Sequence, residues 1–164
     1  MITVRRADAA DAQALVALAN EVSAEPDGWM IWNEWRGVGD ERRYLRAVRR
    51  HPDAAVFVAE VDEEIVGRLS LARDQNPASH HVADLGLMVD ARFRRQGVGR
   101  ALLEAAVEWA PEHGVAKLEL HVFPWNEPAI ALYESFGFER EGYRRRHYLR
   151  SDGYADAILM ALQV

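Results

Sequence analysis

Two glycines one residue apart, Gly97 and Gly99, stand in "RFRRQGVGRALL" (92–103), where an apolar helical pattern begins. Glycine inside a helix costs about 1 kcal/mol against alanine. The same stretch gathers Arg92, Arg94, Arg95 and Arg100 in a chain whose formal net charge is −6. A strand running through a glycine-rich turn into a helix leaves main-chain N–H groups unpaired at the helix start, where the peptide dipoles add partial positive charge. Bare backbone with arginines beside it makes an anion site that a phosphate can approach closely.

Familiar nucleotide patterns are not met in full. A P-loop needs Gly-Lys-Ser/Thr, but Gly99 is followed by Arg100-Ala101. A dinucleotide fingerprint needs a third small residue where Leu102 stands, although Glu119 falls near the place of a ribose-binding acid. Other residues able to do chemistry are spread along the chain. Tyr133 follows Asn126 by seven positions, two helical turns, so both can face one cleft. Tyr133 at helical spacing from Ile130 also reads as plain core. Strand alternation puts Asp84, Gly86 and Met88 on one face, which makes Asp84 a candidate base or a satisfied structural carboxylate. His121 is the rival base, with His80 and His81 behind it, and equally reads as a structural histidine. No carboxylate spacing completes a metal set around these histidines, so no metal is expected.

The elements that must position these groups are legible from periodicity. "ITVRRA" (2–7) has strand character, and 7–24 follows as a helix burying Leu15, Leu18, Ala19 and Val22, with Asp8 or Asp11 placed to cap it. Residues 55–74 read as a hairpin around Asp62-Glu63-Glu64, and 81–90 as a further strand. Residues 97–110 form an amphipathic helix with Ala101, Leu102, Ala105, Ala106 and Trp109 on one face; Pro111 should stop it near Ala110. A strand over 115–123, a short helix over 127–138 ended by Gly137, and two strands around Ser151-Asp152-Gly153 complete the chain. This order implies one domain over 1–164: a mixed sheet of about seven strands with helices packed on it.

Composition narrows the classes of function. The 49% apolar and 28% charged fractions are those of a globular chain, and no apolar run approaches the roughly 20 residues of a membrane span. The N-terminus lacks the apolar core of a signal peptide, so the expected location is cytoplasmic. With no cysteine, disulfides, thiolate nucleophiles and Cys-type zinc sites are excluded. The acidic balance argues against nucleic acid as a partner.

The spacing that fits is Arg94-x-x-Gly97-x-Gly99, followed by "NEPAIALYESFGF" with Asn126, Ala129, Leu132, Tyr133, Gly137 and Phe138. On these two motifs the chain resembles the GNAT superfamily of acetyl-CoA-dependent N-acetyltransferases, over nearly its whole length, and most resembles the bacterial amino-acid and small-amine acetyltransferases. The resemblance implies a mostly antiparallel sheet with strands 4 and 5 splayed and helices on both faces. It implies that acetyl-CoA is held by main-chain groups of Leu87, Met88 and Val89 and by the turn from Arg94 through Arg95, Gln96, Gly97, Val98 and Gly99 to Arg100. Asn126 would contact the cofactor, and Tyr133 would act as general acid. Asp84 would be the base, and a homodimer is left open.

The family's variable acceptor region would be 24–50, where Trp29, Trp32 and Trp35 recur on roughly one helical face. They read as cover for the sheet or as an aromatic pocket wall, with Met30 and Trp32 the pocket candidates. Glu25 or Glu34 could hold an ammonium, Arg68 or Arg36 a carboxylate, and His121 is the further acceptor-side candidate. The expected activity is acetyl transfer to a small amine such as an amino acid, polyamine or amine antibiotic. The alternatives are a protein N-terminal or lysine acetyltransferase and a catalytically silent coenzyme-A-binding module.

Overall fold

Short apolar alternations build the sheet. In the computed structural model, which describes residues 1–32 and 34–164, the seven strands are β1 (Ile2–Arg6), β2 (Ala54–Val61), β3 (Glu64–Arg73), β4 (Val82–Val89), β5 (Lys117–Val122), β6 (Glu139–Arg150) and β7 (Gly153–Gln163). They lie in the order β1-β2-β3-β4-β5-β7-β6. Every neighbouring pair is antiparallel except β4 and β5. The β2–β3 hairpin turns on Asp62 and Glu63, both with positive φ, as a tight two-residue turn requires.

Period 2 sends alternate residues to opposite faces. Ala55, Phe57 and Ala59 of β2 join the larger core under helix α3 (Val98–Glu112) and helix α4 (Glu127–Phe136). Val56 and Val58, from the same strand, join a second cluster with Leu15 of helix α1 (Ala12–Ser23) and Leu45 and Val48 of helix α2 (Val38–Arg50). The sheet is thus covered on both faces. Each fully buried leucine in these layers contributes roughly 1.5–3 kcal/mol relative to exposure.

Three boundaries differ from the sequence reading. Asp8 caps a short 3-10 turn at Ala9–Asp11 ahead of α1, in a reciprocal arrangement with Asp11, whose side chain gives α1 itself no cap. Helix α3 runs on through Pro111 to Glu112, because a proline in the last turn removes only one ladder bond there. The end is closed instead by the N–H groups of His113 and Val115 donating to Ala110 O. Its buried stripe, Val98, Leu102, Leu103, Ala106, Trp109 and Ala110, is rotated slightly from the predicted face. Trp29, Trp32 and Trp35 themselves are not helical, and α2 begins only at Val38, so their spacing is not a helical stripe. Among the described residues, no helix is long and apolar enough to cross a membrane.

Candidate active site

The central feature is a fork in the sheet. β4 and β5 pair only from Val82 to Asp84 against Lys117 to Glu119. Beyond that point each strand stays with its outer neighbour: β4 remains on β3 as far as Val89, and β5 on β7 as far as Val122. The inner edges therefore part, and the main-chain groups of residues 85–89 that would have continued the ladder face a cleft of about 770 Å³. Leu87, Met88 and Val89 all line it.

At one end of the cleft lies the turn into α3. Gly97 has φ +91° and Arg95 φ +62°, left-handed conformations that curl successive N–H groups into a concave nest. No side chain caps the α3 N-terminus, so its first N–H groups keep their capacity for an anion. The two glycines turn out to do different work. Gly97 permits the turn, whereas a Cβ on Gly99 would stand 2.7 Å from Leu132 Cδ2; its bareness lets α3 approach α4. Arg95 and Arg100 line the cleft, while Val98 is core and Gln96 folds back so that its amide donates to Arg92 O. The Arg94 side chain, expected beside the phosphates, is engaged elsewhere. It forms a bidentate pair with Glu25 at 2.7 and 2.8 Å, donates to Val89 O and lies over Trp29. Glu25, offered as a partner for an ammonium, is thus already paired with a cation of the chain.

Helix α4 brings two predicted residues to the same wall. Asn126 is its N-cap, accepting from the Ala129 N–H, and lines the cleft with Tyr133. Tyr133 packs against Phe138, and burial raises its pKa, which keeps the hydroxyl protonated. Both readings of this tyrosine therefore hold: it is core by its ring and cleft-lining as well.

At the fork stands Asp84, open to the cleft but with its carboxyl crowded by protein. Desolvation first, and the adjacent Glu119 second, push its pKa up to about 6. His121 lies across the fork, and its Nδ1 shares a 2.6 Å hydrogen bond with the Tyr148 hydroxyl. Burial, then the charges of Arg144 and His147, lower the His121 pKa and favour the neutral ring. His80 is not part of this group; its ring pairs with Asp53. Met30 and Trp32 reach the cleft from the segment before α2, and Trp32 remains largely exposed.

Arg68 also lines the cleft, but as a buried residue, 3% exposed. It lies over the Trp35 ring with its NH2 atom 3.4 Å from Oε1 of Glu41, a carboxylate on α2 with no exposure. Arg36, the other candidate carboxylate partner, donates to Glu41 at 2.7 Å. Trp35, one of the three tryptophans offered as a pocket wall, lines the cleft, and so do Tyr148 and Ser70, which the sequence did not single out. Neither β6 nor β3 carries a motif, and only the fold brings them to β4.

A family model, "Acetyltransferase (GNAT) family", matches residues 18–138. The L-amino acid N-acetyltransferase AaaT of Escherichia coli (strain K12) is 34% identical over 98% of this chain and 96% of its own length. An E. coli [ribosomal protein bS18]-alanine N-acetyltransferase is 49% identical, over 48% of this chain and 53% of its own. A GNAT-family acetyltransferase structure from Streptococcus pneumoniae superposes over 100% of both chains with TM-score 0.90 at 28% identity.

Proposed function

Because the chain belongs to the GNAT acetyltransferase family, we propose that it transfers acetyl from acetyl-CoA to the primary amine of a small-molecule acceptor, both substrates bound together. The observation that carries this reading is the fork: an uncapped helix start and nest at one end of the cleft, the Asp84 carboxyl with its raised pKa at the other, and exposed main chain between them. The donor residues present fit the cosubstrate. The nest from Arg94 to Arg100 is suited to the pyrophosphate, Leu87–Val89 to the pantetheine and acetyl oxygen, and Asn126 to a further polar contact. Acetyl-CoA supplies an activated acyl carbon, so that an N–C bond forms as the C–S bond breaks.

The rest falls to this chain's own groups. Asp84 takes a proton from the acceptor ammonium, directly or through water; with a pKa near 6 it is ionised at neutral pH and still basic enough to serve. N–H groups on the parted edge of β4 stabilise negative charge on the acyl oxygen. Tyr133, held neutral by burial, donates its proton to the leaving sulfur. His121 is the alternative base.

Acetylation of a protein N-terminus is the second reading, favoured by the bS18-alanine acetyltransferase match over 48% of the chain. The full-length match to an amino-acid acetyltransferase, and the tryptophan-bearing segment over the cleft mouth, favour the first. Thiol release from acetyl-CoA with a panel of amino acids, polyamines and N-terminal peptides separates them. Turnover confined to peptides replaces the first reading by the second, and CoA binding without turnover on any amine removes both.

A further inference from the structure

The cluster behind the acceptor wall is unbalanced. Glu41 Oε2 accepts from Trp35 Nε1 at 3.0 Å and from Arg36 at 2.7 Å. Among the described residues, Glu41 Oε1 accepts no hydrogen bond and Arg68 Nε and Nη2 find no hydrogen-bond acceptor, although all three atoms are buried; Nη2 has only the looser 3.4 Å ion pair with Oε1. The cluster thus holds two guanidiniums against one carboxylate. Arg36 keeps some contact with water, its side chain 29% exposed, whereas Arg68 keeps almost none. A buried cation with unmet donors is costly unless a further anion joins it. The remaining neighbours, the Trp35 ring and Tyr44, offer a cation a π-face and a hydroxyl but no full charge.

Position adds the second half of the argument. In the β3–β4 ladder Arg68 is paired with Met88, one strand away from the parted main-chain edge. Strands in a sheet lie about 4.8 Å apart. An anion held by Arg68 is therefore close to the proposed acyl-transfer point, and its amine and acid groups must be separated by few bonds.

We propose that Arg68, backed by Trp35 and Glu41, is the specificity-determining residue that receives the carboxylate of the acceptor, so that the acceptor is a free amino acid. A polyamine would add charge of the wrong sign there, and a peptide N-terminus presents an amide at that place. This inference rests on the small-molecule acetyltransferase reading above and narrows it.

The test compares L-leucine, L-phenylalanine and L-methionine, each against its carboxamide, with acetyl-CoA and the full chain. The carboxamides have the more readily deprotonated amines, so preference for the acids runs against intrinsic reactivity. The wild type should favour the acids in kcat/KM at least tenfold, about 1.4 kcal/mol. Arg68→Met should collapse that ratio towards one, chiefly through KM of the acids. Equal or better use of the amides by the wild type overturns the proposal, as does a folded Arg68→Met protein that keeps the ratio. If Arg68→Met does not fold, Glu41→Gln serves instead: freeing Arg68 of its internal competitor should widen the preference for acids, and an unchanged or narrowed preference counts against it. If no amine is acetylated, the functional reading has failed. Calorimetric titration of the same pairs into CoA-loaded protein then decides: heat from acids alone upholds the Arg68 site, and heat from neither or from both overturns it.

Discussion

At one end of the cleft, a single run of residues from 87 to 100 supplies nearly everything: a strand edge, a left-handed turn and an uncapped helix start. At the other, Met30 and Trp32, Arg68, Asp84, His121 and Tyr148 come from five separate segments. The first end works through backbone, so side chains there serve mainly to permit a conformation. The second works through side chains that touch only after the sheet has formed. Substitutions at the two ends should therefore fail differently: backbone-permissive changes should act on cofactor affinity, acceptor-side changes on acceptor KM or on proton transfer.

The largest effect should come from Asp84→Asn. Removing a positioned base costs roughly 10²–10⁴-fold in rate. Because Asp84 must lose its proton to act, wild-type kcat/KM should rise with pH and level off above about 6. The variant should lose that rising limb; if a pH profile retains it, His121 takes the role. Next, Gly97→Val forces a β-branched residue to φ +91°. Calorimetry should find CoA binding weakened at least tenfold, about 1.4 kcal/mol, with some loss of Tm. Gly99→Ala, whose Cβ overlaps the mobile end of Leu132 at 2.7 Å and makes ordinary contact with the end of Leu87 at 3.6 Å, should change affinity less than about threefold. If the two glycine variants behave alike, the division of labour between turn and packing is wrong.

Tyr133→Phe sits between the ends. It should lower kcat at least tenfold, about 1.4 kcal/mol, while CoA affinity barely moves. A kcat equal to wild type at saturation would leave Tyr133 with its core role alone. A modest effect tests the tie between the ends: Glu25→Gln breaks a partly buried bidentate pair with Arg94 that anchors the segment before α2. Acceptor KM should rise about threefold, consistent with roughly 0.5–1 kcal/mol for a partly solvated pair, with CoA affinity unchanged. A fall in CoA affinity instead would show that Arg94 serves the phosphates after all.

The turn and helix start proposed to hold the cofactor are legible in the sequence because their information is local. Gly97 next to an apolar 3.6-residue pattern signals a turn into a helix wherever the rest of the chain lies, and Asn126 seven residues before Tyr133 shares a helix side by geometry alone. The acceptor end was only partly legible. The place of Asp84 at the cleft followed from strand alternation, but the tryptophan spacing suggested a helical face that the described residues 29–32 and 34–37 do not form, since an i, i+3, i+6 pattern cannot by itself hold a helix without flanking residues that favour one. The engagement of Arg94 with Glu25, 69 positions apart, left no local trace.

The seven strands, helices α1, α3 and α4, the phosphate-type turn and the family motifs are fixed by local spacing along the chain, because each depends on backbone periodicity, whereas helix α2 did not follow from spacing and helices on both faces of the sheet followed only from the family resemblance. Tertiary structure alone decided where β4 and β5 part, that Gly99 serves packing, and that Arg68 lines the cleft as a buried cation beside Trp35 and Glu41. These depend on contacts between segments distant in sequence, and burial, which sets the cost of an unmatched charge, exists only once those segments have closed around it.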